Sequence, residues 1–190
     1  MNKVKTNDID WETWQPEVSA TLMFVVRDDF VLLIHKKRGL GAGKVNGPGG
    51  HIEIDEKPMA CAIRETQEEL CIATGNVKYM GELYFHAEDM PRIHAYVYIA
   101  TTFQGEPTET DEAIPLWTKT DQIPYEKMWQ DDKIWLPEVL RGNKVRGWFT
   151  FEEENLLDHR LEINPKTPPY AGTDAGKDYC GSKYPGAGWT

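Results

Sequence analysis

The residues that could do chemistry are concentrated in one stretch, GPGGHIEIDEKPMACAIRETQEELCI, residues 47–72. Glu65, Glu68 and Glu69 are spaced so that on a helix they share one edge, because residues three and four apart are neighbours there. Arg64 stands four residues before Glu68 and can pair with it. Three acids on one edge repel unless a cation offsets them. The stretch follows RGLGAGKVNGPGG, whose six glycines and one proline require a loop of tight turns. Such a loop lets backbone approach a ligand closely. Oxygen-only ligands at this density suit Mg²⁺ or Mn²⁺, hard ions that prefer carboxylate, carbonyl and water. Clusters of this kind promote attack of water on phosphorus. A solvated acidic helix face is the competing interpretation.

The elements that must position these groups follow from local pattern. Residues 18–36 read as two apolar β-runs joined at RDD, a hairpin. Residues 57–70 read as a helix, with Met59, Ala62, Ile63, Thr66 and Leu70 forming one mostly apolar stripe. VKYMGELYFHA and IHAYVYIATTFQ are rich in aromatic and β-branched residues and read as strands. MWQDDKIWLPEVLRGN reads as a second helix, capped by Asp131 or Asp132 and ended by Gly142. Pro137 leaves its interior geometry open. RGWFTFEEENLLDHRLEI suggests closing strands.

Composition narrows the function classes. The 190 residues suit one domain of residues 18–163, with an N-terminal extension (1–17) and a Pro/Gly/Tyr-rich tail (164–190). A net charge of −10 argues against duplex nucleic acid, since phosphate neutralisation needs a basic surface. It does not exclude a phosphorylated substrate bridged by a divalent cation. No run is long and apolar enough to span a membrane, and the N-terminus lacks the apolar stretch of a signal peptide. Cys61, Cys71 and Cys180 show no metal or disulfide spacing and read as reduced thiols. The expectation is a cytoplasmic protein, monomeric or homodimeric, without membrane or duplex nucleic-acid partners.

The carboxylate stretch resembles the Nudix box, G-x5-E-x7-R-E-U-x-E-E-x-G-U, where U is aliphatic. Gly50, Glu56, Arg64, Glu65, Glu68, Glu69 and Ile72 stand in register. Thr66 replaces an aliphatic residue and Cys71 replaces Gly. The resemblance implies an α/β fold, an αβα sandwich around a mixed curved sheet. It also implies metal-dependent hydrolysis of a nucleoside diphosphate linked to another group. Glu65, Glu68 and Glu69 would then be metal ligands or the water-activating base, with a carbonyl near Gly49 as a further ligand and Arg64 orienting the glutamates.

Residues 20–162 are further similar to the MutT-like branch that acts on oxidised purine nucleoside triphosphates. That likeness implies Asn46 and the pair Asp131–Asp132 as readers of the purine edge, Trp129 as a stacking platform, and Phe85, Thr21 and Lys36 as pocket walls. It implies Glu112 as one more metal-binding or water-activating acid. The physical logic is consistent: Asn offers donor and acceptor, and two adjacent buried carboxyls share a proton. Taken singly, the Asp pair could be only an N-cap, Trp129 only core, and Asn46 only a turn former. Leu40, Val45, Pro48 and His51 depart from that branch, which has three aromatics and a Lys there. The implied reaction takes an 8-oxo-dGTP type substrate to monophosphate and pyrophosphate. A broad-specificity pyrophosphatase and a non-catalytic nucleotide-binding module are the alternatives.

Overall fold

The computed structural model describes residues 4–166. Cys180 and nearly all of the Pro/Gly/Tyr-rich tail lie outside the described residues. The described residues form eight strands: β1 (Val18–Arg27), β2 (Phe30–Lys36), β3 (Val45–Asn46), β4 (Ala73–Ala87), β5 (Ile93–Gln104), β6 (Ala113–Lys119), β7 (Val145–Glu152) and β8 (Asn155–Ile163). Two helices, α1 (Pro58–Leu70) and α2 (Asp132–Leu140), complete it. The strands make one mixed sheet in the order β3-β2-β1-β5-β4-β7-β8, with β6 also on β2. β1 runs parallel to β5 and β4 parallel to β7; the other pairs are antiparallel. The expected hairpin at RDD is the β1–β2 turn, where Asp28 takes a positive φ of 52°.

Strand alternation sorts the core onto two faces. Met23, Val25, Leu32, Ile34, Tyr98 and Ala100 pack with Ala62, Leu70 and Ile72 on the α1 side. Phe24, Val31, Leu33, Val97 and Ile99 pack with Trp135, Leu136 and Val139 on the α2 side. The sheet is thus sandwiched between two helices.

Helix α1 starts with Pro58 in its first turn, where a missing N–H costs nothing. It ends at Cys71 in the left-handed conformation, φ 59°, the position where Gly was expected. Thr66, at the aliphatic position, is fully buried and donates its hydroxyl to the Ala62 carbonyl at 2.7 Å. That bond removes the cost of burying a hydroxyl. Met59, in the first turn of the helix, departs from the expected stripe: it is 42% exposed. The N-terminal extension is docked, not separate. Thr6 donates from both N–H and hydroxyl to Asp158, and Trp11 and Trp14 pack on Tyr84 and His86. They cover a cross-strand ladder in which Arg160, Trp148, Tyr84 and His94 stand opposite one another and stack in turn.

Candidate active site

The glycine-rich segment runs antiparallel beside β1. Met23 N–H donates to the Pro48 carbonyl (2.8 Å), Thr21 N–H to Gly50 (2.9 Å) and Ile52 N–H to Ser19 (3.0 Å). This contact explains two glycines. A Cβ on Gly49 would lie 2.0 Å from the Thr21 carbonyl oxygen. A Cβ on Gly50 would lie 2.4 Å from the Glu65 carboxyl carbon. The first glycine of the box is therefore the floor on which a box glutamate rests.

Arg64 organises the acids. Its Nε and one terminal nitrogen donate to the two oxygens of Glu56, each at 2.8 Å, a bidentate fork. Its other terminal nitrogen donates to Glu65 (2.8 Å) and Glu68 (3.0 Å). It also donates to the His51 carbonyl at 3.1 Å, tying α1 to the loop. The Arg64 bonds hold the Glu56 carboxyl down at about 2. Glu69 is fully buried and accepts from the Gly49 N–H (2.9 Å) and the Lys36 ammonium (3.1 Å). Burial pushes the Glu65 and Glu69 carboxyls up from the usual carboxylate range.

Glu65, Glu68 and Glu69 are thus on neighbouring turns at one end of the sheet, with Gly49 beside Glu69. Among the described residues, no three His, Cys, Asp or Glu side chains converge closely enough to share one ion. The donor set nevertheless fits a hard divalent cation. It is all oxygen, two of its carboxyls are partly or wholly buried, and the Lys36 ammonium already stands at Glu69 as a cation would.

On the opposite face, Asp131 and Asp132 are 2% and 3% exposed. Asp131 accepts from the Trp135 indole N–H (2.8 Å), and Asp132 accepts from the Trp129 backbone N–H (3.0 Å). Asp131 occupies the N-cap position of α2 but makes no side-chain cap bond, so the simple capping role expected for it is absent. Asp132 bonds backward, to the segment before the helix. Burial pushes Asp131 up to about 6. Burial, then the adjacent Asp131 charge, pushes Asp132 well above the usual range. Phe85 and Trp129 are half-buried on this same face with Leu22, Met90 and Ile93, and Phe85 stacks on Phe149 at 5.4 Å. Asn46 lies on β3, and its side-chain oxygen accepts the Gly47 N–H at 2.8 Å, the turn-forming role.

Three expected site residues have other partners. Thr21 is not a wall of the α2-side pocket: its hydroxyl lies 3.4 Å from Cys61 on α1, on the opposite face of the sheet. Lys36 belongs with the carboxylates, through Glu69. Both follow from alternation, since Thr21 shares the face of Met23 and Lys36 that of Ile34. Glu112 is paired with Arg38 and does not join the box glutamates, although its segment is close enough for Thr110 to bond the Glu69 carbonyl. Cys61, which the sequence marks only as a reduced thiol, fills the space between Thr21 and the His51 carbonyl; burial pushes its thiol up to about 12, an inert packing role.

The chain is similar to known proteins in sequence and in fold. The NUDIX domain description matches residues 16–139. An oxidized purine nucleoside triphosphate hydrolase of Danio rerio is 35% identical over 144 residues, 75% of this chain and 92% of that protein. The Mus musculus protein of the same name is 35% identical over 138 residues, 72% of this chain and 88% of its own. A crystal structure of a MutT protein from Bacillus halodurans superposes with a TM-score of 0.67 at 28% identity, covering 76% of this chain and 97% of that one. Box spacing, sandwich and relatives coincide, and the chain belongs to the NUDIX domain family of hydrolases.

Proposed function

We propose that this hydrolase acts on oxidised or otherwise modified purine nucleoside triphosphates of the 8-oxo-dGTP type, giving the monophosphate and pyrophosphate and clearing damaged nucleotides from the pool. The observation that carries the reading is the adjacent, buried pair Asp131–Asp132 beside the half-buried Trp129 and Phe85. Two carboxyls at 2% and 3% exposure cannot both be ionised cheaply. One keeps a proton and donates, while the other accepts, so the pair suits a purine edge whose oxidation has changed its pattern of donors and acceptors. The relatives' names support the same substrate class.

In this reading Trp129 offers an apolar face to the base and Asn46 presents an amide at the end of the glycine loop. Glu65, Glu68 and Glu69, with the Gly49 carbonyl, would hold Mg²⁺ or Mn²⁺. That cation supplies charge neutralisation for the phosphates and activation of water. Arg64 keeps the glutamates in place through its five side-chain and backbone bonds to Glu56, Glu65, Glu68 and His51. Water adds to phosphorus, the bond to the leaving pyrophosphate breaks, and a carboxylate takes the proton. Glu65 and Glu69, raised by burial, are better proton acceptors than a solvated glutamate. Cys61 and Cys71 are both free thiols, which fits a cytoplasmic setting.

The test is hydrolysis with Mg²⁺ of a matched set: 8-oxo-dGTP, 2-oxo-dATP, dGTP, dATP, dCTP, ADP-ribose and a diadenosine polyphosphate, with products separated by chromatography. A preference for an oxidised purine triphosphate, cut to monophosphate and pyrophosphate, is the expected result. Flat activity across ordinary nucleotides would discard the base-reading pocket and leave a broad-specificity Nudix pyrophosphatase.

A further inference from the structure

The glycine loop does more than turn the chain. It is closed at its base by the Lys36 N–H on the Lys44 carbonyl (2.9 Å) and the Gly43 N–H on the Lys36 carbonyl (2.8 Å). From that base Lys44 extends over Trp129, its ammonium 4.9 Å from the ring centroid. It continues to Glu154 in the β7–β8 turn, at 2.9 Å. The start of β8, just after that turn, is tied to the residue after Trp129, since the Leu156 N–H donates to the Gln130 side-chain oxygen at 3.0 Å. The indole is held at its edges as well. Gly41 comes so close that a Cβ there would stand 3.1 Å from the indole nitrogen. Phe151 meets the ring edge-to-face at 6.2 Å. Lys44, Trp129 and Glu154 line an open groove of about 680 Å³.

We infer that Lys44 is a positioning and specificity-determining residue: it clamps one face of Trp129, so that the other face is presented to the base in one fixed orientation. This rests on the proposed role of Trp129 as the base platform. The chemistry favours a clamp over a mere surface ion pair. Glu154 is 66% exposed, so its pairing with Lys44 alone contributes little. A cation over an indole adds to it, and a ring that is already immobile loses less freedom when a base stacks on it. Because the clamp acts before phosphorus is attacked, its loss weakens substrate binding without slowing the bound substrate.

The experiment measures kcat and KM for the purine triphosphate turned over best, in Lys44→Met, Lys44→Arg, Glu154→Gln and Trp129→Ala, with Tm for each. Lys44→Met keeps the aliphatic stem over the ring and removes the charge. It is expected to raise KM about fivefold, the size of one partly exposed cation–π contact, with kcat within about twofold. Lys44→Arg is expected to restore KM, and Glu154→Gln, at an exposed position, to raise it by about twofold. The purine preference over dCTP is expected to narrow in step with KM. If Trp129→Ala raises KM while Lys44→Met and Glu154→Gln leave it unchanged, the clamp is overturned and the platform stands. If Trp129→Ala itself leaves KM unchanged, the base pocket of the proposed function falls, and the clamp with it. A fall in kcat at constant KM in Lys44→Met would also overturn the inference.

Discussion

Replacing Asp131 with Asn should make the protein more stable at alkaline pH while damaging its purine selectivity. Asp131 is 2% exposed, and burial pushes its carboxyl up from 3.8 to about 6. In the unfolded chain it titrates near the ordinary Asp value of about 3.9. The native state therefore holds the extra proton between those two values, and stability falls as pH rises through that window. Roughly two pH units correspond to about 3 kcal/mol lost by pH 8. An amide at this position still accepts the Trp135 indole N–H, so the packing partner is kept. The variant should exceed the parent at pH 8 by up to about 3 kcal/mol, or about 5–10 °C in Tm, by about half that at pH 5, and differ little only below about pH 4. Glu65 and Glu69, also raised by burial, titrate in both proteins, and their contribution cancels in the difference; Asp132 does not cancel, because the Asp131 charge is one cause of its raised carboxyl, and relief of that repulsion in the variant adds to the gain at high pH. Thermal unfolding from pH 4.5 to 8.5, with kcat/KM for 8-oxo-dGTP against dGTP, measures both halves of the prediction. The opposite trend would refute the reasoning: a variant whose deficit grows with pH means that the α2 N-terminus stabilises an ionised Asp131, and that the pair is a cap.

Three further outcomes follow from the geometry. Glu68→Gln should reduce kcat by more than about a hundredfold with Tm nearly unchanged, since Glu68 is exposed and bonds only Arg64; activity within threefold of the parent would remove it from the metal site. Gly50→Ala should weaken Mg²⁺ activation sharply, because the new methyl would occupy the space of the Glu65 carboxyl, 2.4 Å away; Gly43→Ala, with nothing within 4 Å, is the control and should cost only the strain of its positive φ, about 1 kcal/mol. Deleting residues 1–16 should lower stability by on the order of 3 kcal/mol through loss of the Trp11, Trp14 and Thr6 contacts, yet leave kcat unchanged; urea unfolding and steady-state kinetics decide it.

The chemistry of α1 was legible because helix geometry is local. Spacings of three and four placed Glu65, Glu68 and Arg64 together before any tertiary contact was known, and the structure shows the Arg64–Glu68 pair at 3.0 Å. Both departures from the box also resolved locally: Cys71 adopts the left-handed helix end, and Thr66 satisfies its own hydroxyl on Ala62. Strand pattern was legible only in part. Alternation showed that Thr21 and Met23 share a face, but not that α1 lies over it. Thr21, which the family resemblance implied as a pocket wall, meets Cys61 in the fold. The Glu112 pairing with Arg38, the Lys36 pairing with Glu69 and the docking of the N-terminal tryptophans join residues 33 to 74 positions apart, and no local spacing encodes such contacts. The sequence by itself determined the acids, the glycines and their register along one helix and loop. Tertiary structure alone decided which face of the sheet each strand residue meets, because that depends on where each helix packs once the whole sheet has closed.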